Sequence, residues 1–236
     1  MTSSNQLPIS NLLSENSSGH SHRPPPVYSI TVRQHPLSAR ACGFSERDRR
    51  VIDPPPILVL EVRDPGSSEE EIVARLRSSF YVVYCSLWNP WSDEEDNIMP
   101  SSSRLPQRRL IGTLVGSHFY GRDDSNKEQC FFYFSDLSVR TAGTYCLKFD
   151  LVVLDAWRVM TRSSLAVSAT TKSNVFAVHN AKDFKGMRPS TDLTRCLRAQ
   201  GCLIPVKKGS AKAGASHSPE AGSDEEDNEE GSAPYM

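Results

Sequence analysis

The feature that most constrains this chain is a two-residue alternation. In "VYSITVRQ" (27–34), Val27, Ser29, Thr31 and Arg33 alternate with Tyr28, Ile30, Val32 and Gln34. Successive side chains of an extended strand point to opposite faces, so this pattern predicts a half-buried strand. The same idiom recurs in "ILVLEV" (57–62), "FYVVYCSLW" (80–88), "LIGTLVGSHFYG" (110–121), "CFFYFSDLSV" (130–139), "GTYCLKFDLVVLD" (143–155) and "NVFAVHN" (174–180). Turn residues separate these runs, and "NPWSDEEDNIMPSSSRLPQRR" between the third and fourth has the composition of a loop or insertion. Seven such strands predict an all-β, immunoglobulin-like sandwich. Ile30, Val32, Leu58, Leu60, Phe132, Phe134, Tyr145, Leu147 and Phe149 are the expected core. Pro54, Pro55 and Pro56 cannot donate ladder hydrogen bonds and are expected just outside the sheet.

Helical signals are sparse. "EEEIVARLRSSF" supports a helical turn at most, whereas "RPSTDLTRCLRAQGCLIP" carries a full set of signals. Ser190 or Thr191 can cap it, Asp192 lies in its first turn, and Arg195 and Arg198 lie in its later turns. Gly201 ends it and Pro205 follows. Leu193, Leu197 and Cys196 make the stripe expected to pack on the sandwich.

Charge divides the chain more sharply than its formal total of -1 suggests. After Lys212 there are seven carboxylates and no Lys or Arg, Glu15 cancels Arg23 in the first 26 residues, and the body between is left with +6. A basic body beside an acidic tail points to a polyanionic partner. Residues 1–26 and 210–236 are poor in apolar side chains and are expected to be disordered, with one domain over 27–209. No apolar run approaches the ~20 residues of a membrane span. A membrane partner is therefore not expected.

Catalytic signals are poor. The six cysteines form no CxxC pair and are read as reduced and structural, with no metal site. His35, His118 and His179 lack a triad or HExxH context and are read as structural. "GSHFYGRD" lacks the Lys-Ser/Thr of a phosphate loop, and no GxSxG occurs. Neither an enzymatic reaction, a small-molecule substrate nor a cofactor is expected.

The arginines carry the remaining information. Arg33, Arg40, Arg47, Arg49 and Arg50 face only Glu46 and Asp48 over 33–50, just before "VIDPPP". Guanidinium forks suit phosphate oxygens and the guanine O6/N7 edge, and a loop on a sandwich holds them on a rigid base. The competing reading is a solvated loop that pairs with its own acids, for example Arg49 with Asp53.

These residues also carry a resemblance. "VYSITVRQHPLSARACGFSERDRRVIDPPPILVLEV" resembles the opening of the fungal velvet family. "GTLVGSHFYGRDDSNKEQCFFYFSDLSVRTAGTYCLKFDLVVL" is similar to its central blocks, and "AKDFKGMRPSTDLTRCLRAQGCLIPVKKG" to its C-terminal block and helix. The resemblance implies a Rel-like β-sandwich in a nuclear regulator of development, sporulation and secondary metabolism that binds double-stranded DNA as a velvet homo- or heterodimer. It also implies DNA contact at the basic residues before the Asp-Pro-Pro-Pro motif, here Arg47, Arg49 and Arg50. Arg33 and Arg40 are expected to support that contact, with Lys207 and Lys208 the next candidates. Ser45 stands where DNA-binding members often have lysine, and Leu37 and Ser38 add no charge. The alternative is therefore an interaction module whose velvet partner supplies the DNA contact. The short chain suits the compact, VosA-like type, and "KKGSAK" is a weak import signal, so nuclear entry and shuttling with the cytoplasm are expected to depend on a partner.

Overall fold

Why "ILVL" should be apolar at four consecutive positions is answered by what covers the strand that contains it. The computed structural model describes residues 24–44, 49–100, 106–154, 160 and 164–207. In chain order the first elements are β1 (Val27–Gln34), β2 (Ser38–Arg40), β3 (Ile57–Arg63), α1 (Glu69–Leu76), β4 (Tyr81–Asn89) and β5 (Glu94–Glu95). Next come β6 (Ile98–Met99), β7 (Gln107–Arg108), β8 (Leu110–Ile111), β9 (Ser117–Arg122) and β10 (Glu128–Tyr133). The last are β11 (Ser138–Val139), β12 (Gly143–Val153), β13 (Val167–Lys172), β14 (Phe176–His179) and α2 (Asp192–Ala199). The expected disordered tail and all but residues 24–26 of the expected arm lie outside the described residues.

Two sheets form the sandwich. One has the order β1-β3-β10-β9, and the other β2-β14-β12-β4-β5 with β13 also on β12. Their facing sides share one core containing Ile30, Leu58, Leu60, Phe132, Phe134, Tyr145, Leu147 and Phe149, with Val32 packed at its margin. This is the expected register. The reverse side of the first sheet is buried as well. Ile57, Val59, Phe131 and Tyr133 lie beneath Leu193 and Leu197 of α2, closed off by Cys202 and Ile204. A strand buried on both faces reads as a continuous apolar run, which is why β3 does not alternate.

Thr191 supplies the helix cap, its Oγ1 accepting from the Thr194 amide at 3.1 Å. The buried Gln34 then locks the helix start to the sandwich, donating to the Pro55 carbonyl at 2.7 Å and to Thr194 Oγ1 at 3.2 Å. Past Gly201, at φ +98°, the chain reverses and returns along the helix. Its last described residue comes back to the helix start, the Lys207 amide donating to Ser190 Oγ at 2.8 Å.

Several elements differ from expectation. "EEEIVARL" is a complete helix with a Ser68/Glu71 capping box, a local signal that its short apolar stripe obscures in the sequence. "LIGTLVGSHFYG" breaks into β8 and β9, and "CFFYFSDLSV" into β10 and β11, because Gly112 and Asp136 turn the chain between them. β13 is not expected from sequence, since Ser- and Thr-rich "VSATTK" lacks an apolar alternation; β12 supplies its ladder. The short strand β2 escapes the pattern for the same reason, and only its parallel pairing with β14 defines it.

Candidate nucleic-acid interface

The arginine-rich loop is pinned at both ends by backbone bonds. On the incoming side the amides of Ala41, Cys42 and Gly43 donate to the carbonyls of His179, Val139 and Arg140. On the outgoing side the Ile52 amide donates to the Leu137 carbonyl, and Ser38 and Asp53 exchange a pair of bonds at 2.9 Å. Arg140 braces the incoming side further, its Nη1 donating to the Gly43 carbonyl at 2.8 Å and its guanidinium lying 5.5 Å from the Phe44 ring centre. The chain on either side of residues 45–48 is thus fixed to the sandwich.

Its arginines differ in what they do. Arg49 is built into the fold: Nε donates to Ser138 Oγ at 3.1 Å, and Nη2 donates to the Asp136 carbonyl and lies 3.6 Å from the Asp136 carboxylate. That carboxylate also accepts from the amide and hydroxyl of Thr113, at 2.9 and 3.1 Å. Gly112 makes the approach possible. A Cβ there would sit 2.5 Å from the Asp136 carbonyl oxygen and 2.7 Å from Arg49 Nη2, and its φ of +111° disfavours other residues. The expected Arg49–Asp53 pairing is therefore wrong; Asp136 takes the guanidinium, because the turn before β11 comes back beside the loop.

Arg50 points outward. With Arg40 it lines a cleft of about 280 Å³, completed by Ala181, Phe184, Gly186 and Met187 from the segment after β14. Asp53, almost fully buried, accepts from the Arg188 amide at 2.7 Å and lies 3.7 Å from the half-buried Lys207 ammonium. Burial depresses the Lys207 pKa most; Asp53 opposes the shift, and the like charge of Arg50 adds to it. Lys207 thus sits between the buried Asp53 carboxylate and the positive charge of Arg50, which lies beside Arg40. Arg33 is not part of this group, because it turns to Asp124 at 3.0 Å. Arg47, Lys208 and Ser45 lie outside the described residues.

Two contributors escape sequence reasoning. Arg140 sits directly after a strand and looks like an ordinary surface base; its role depends on the pairing of Cys42 with Val139. Arg188 lies between Gly186 and Pro189 in a turn-like stretch, and only the fold brings its amide to Asp53. The histidines serve structure: His35 Nδ1 accepts from the Asn174 amide at 3.0 Å, and burial lowers its pKa in keeping with that neutral, accepting role. His118 Nε2 lies 3.1 Å from the Leu76 carbonyl. All six cysteines are free thiols, and burial pushes Cys130 up to about 12 and Cys202 up to about 11.

Fold and site together define the class: a β-sandwich with a basic segment anchored on it. The velvet factor family model matches residues 28–107 and 96–211, and the chain belongs to the velvet family. It is 50% identical over 185 residues to the sexual development regulator VELC of Pyricularia oryzae, covering 78% of this chain and 42% of that protein. It is 48% identical over 184 residues to the spore development regulator vosA of Beauveria bassiana, covering 78% and 67%. A velvet complex component of Aspergillus flavus is 26% identical over 307 residues, covering 87% and 84%. The chain thus resembles the VosA-like type, as expected, and spans about four-tenths of the VELC protein it matches. These relatives are named as regulators of development.

Proposed function

We propose that this chain is a sequence-specific, double-stranded-DNA-binding regulator of fungal development, sporulation and secondary metabolism, acting in the nucleus as a velvet homo- or heterodimer. The observation that carries the DNA reading is the exposed Arg50, set beside Arg40 on a segment whose two flanks are bonded to the sandwich. Pre-positioned guanidiniums lose little entropy on meeting phosphates. Arg47 and Arg50 make the principal contacts in this reading, while Arg49 holds the loop at the angle they need. The developmental role is supported by the functions for which the relatives are named, and dimerisation by the velvet complex component among them.

A second reading has its own support. Arg49 is engaged by Asp136 and Ser138, and Ser45 replaces a base, so fewer loop cations face outward than the sequence suggests. The chain would then act as a partner module, with a second velvet protein supplying most of the DNA contact. Binding of promoter duplexes by the purified chain, alone and mixed with a second velvet protein, separates the two. Direct readout requires salt-dependent binding by the chain alone, and loss of that binding in an Arg47→Ala/Arg50→Ala variant. Binding only in the mixture, unchanged by those substitutions, establishes the partner module and rejects direct contact.

A further inference from the structure

We propose that Phe44 is a base-contacting residue: its ring, held outward by Arg140, meets the bases of a DNA duplex while neighbouring guanidiniums meet the phosphates. The inference rests on the DNA reading above and adds to it an apolar contact that charge alone does not supply.

Phe44 follows a left-handed turn at Gly43, φ +58°, and is 67% exposed. A single exposed apolar side chain is ordinary; its support here is not. Arg140 Nη1 donates to the Gly43 carbonyl at 2.8 Å and Nε to the Arg108 carbonyl at 3.0 Å. The guanidinium so fixed lies 5.5 Å from the Phe44 ring centre and gives the ring a platform. Both acceptors are neutral, and among the described residues no carboxylate pairs with Arg140, so its positive charge stays uncompensated beside the ring.

One short stretch, residues 136–140, joins this ring to the basic segment. The amides of Cys42 and Gly43 donate to its Val139 and Arg140 carbonyls, and the Ile52 amide donates to Leu137. Arg49 donates to the Ser138 hydroxyl and the Asp136 carbonyl of the same stretch. Phe44 on one flank and the exposed Arg50 on the other therefore both emerge beside it. The charges of Arg140 and Arg49 both act on the Cys42 thiol, opposing the rise that burial causes. An apolar protein surface placed on Phe44 would strip water from these cations without pairing them, whereas a duplex offers phosphates to the cations and bases to the ring. Phenylalanine suits the thymine methyl in the major groove, or a base step that it partly unstacks. Neither contact releases counterions, so its contribution is independent of salt.

The test uses the full chain and a duplex that the wild-type chain selects from a random-sequence pool. Phe44→Ala is expected to bind that duplex about tenfold more weakly at every salt concentration, with the log–log salt slope unchanged, and Phe44→Tyr to recover most of the affinity. A fresh selection with Phe44→Ala is expected to lose part of the wild-type base preference. Its melting midpoint should stay within about 4 °C of wild type, since an exposed ring on a guanidinium adds little stability. Equal affinity and equal preference in the two chains overturn the inference and leave the DNA reading standing. A loss of affinity with a lowered salt slope also overturns it, because the ring would then act only by placing cations. If Phe44→Ala loses binding to a second velvet protein and keeps its hold on DNA, the ring belongs to a protein interface and the inference fails. A wild-type chain that selects no duplex rejects the DNA reading, and the inference with it.

Discussion

The helix-covered face of the four-stranded sheet and the basic edge beside β2 are built on opposite principles. Under α2, Ile57, Val59, Phe131, Leu193 and Leu197 exclude water by contact with one another, so each contributes through the area it buries. At the basic edge the groups come from residues 40, 50, 53, 188 and 207, far apart in the chain, and they are brought together by bonds between separate segments, among them the Arg188 amide and the Lys207 ammonium on Asp53. The first region holds the fold together. The second is held by the fold, with Asp53 buried and Arg50 exposed. Stability and binding should therefore respond to different substitutions.

The largest expected effect lies in the core. Leu147→Ala removes a fully buried side chain and should cost about 2–5 kcal/mol in chemical denaturation, leaving duplex affinity per folded molecule unchanged. A loss below about 1 kcal/mol would show that the shared core does not carry the stability assigned to it. Gly112→Ala comes next, because it strains a positive-φ residue and pushes apart Arg49 and Asp136. We expect a loss of about 1–3 kcal/mol in the same measurement.

Arg49 and Arg50 give the sharpest form of the comparison, since they are neighbours in sequence. Arg49→Lys keeps the charge but loses the fork, and should cost about 1–2 kcal/mol of stability with an unchanged salt slope for DNA. Arg50→Ala should cost less than about 0.5 kcal/mol while lowering the log–log salt slope by about 0.9. If instead Arg49→Lys left the denaturation midpoint untouched and Arg50→Ala lowered it, the division between anchor and contact would be reversed.

The smallest effect concerns thiol reactivity. With pKa values raised to about 12 and about 11 by burial, Cys130 and Cys202 remain protonated at about pH 8 in the folded chain. They are expected to alkylate only on unfolding. Cys196, half-exposed on α2, should label first. Mass spectrometry after brief iodoacetamide treatment checks the order, and early labelling of Cys202 would show that the α2 face opens more readily than its packing implies.

Much of this architecture is legible in the residues alone. Period-two runs identify the principal strands and their inward residues, because side-chain alternation is a property of the extended backbone itself. Thr191, Asp192 and Gly201 mark the helix for a similar reason: caps and reversals are local chemistry. The arginine-rich segment can be read as an exposed, anchored loop from its charge and the prolines behind it. Less legible are β2 and β13, whose short polar sequences become strands only when β14 and β12 offer ladders.

The sequence by itself determined the class of fold, the face of each main strand and the separation of a basic body from an acidic tail, since periodicity and charge are written residue by residue. Only the tertiary structure decided which arginine is an anchor and which is left exposed. Arg49 meets Asp136 because the turn after β10 passes over Gly112, and Lys207 joins Arg50 because the chain beyond α2 doubles back. Pairings between residues so far apart in the chain depend on where whole elements pack, and no local pattern encodes that.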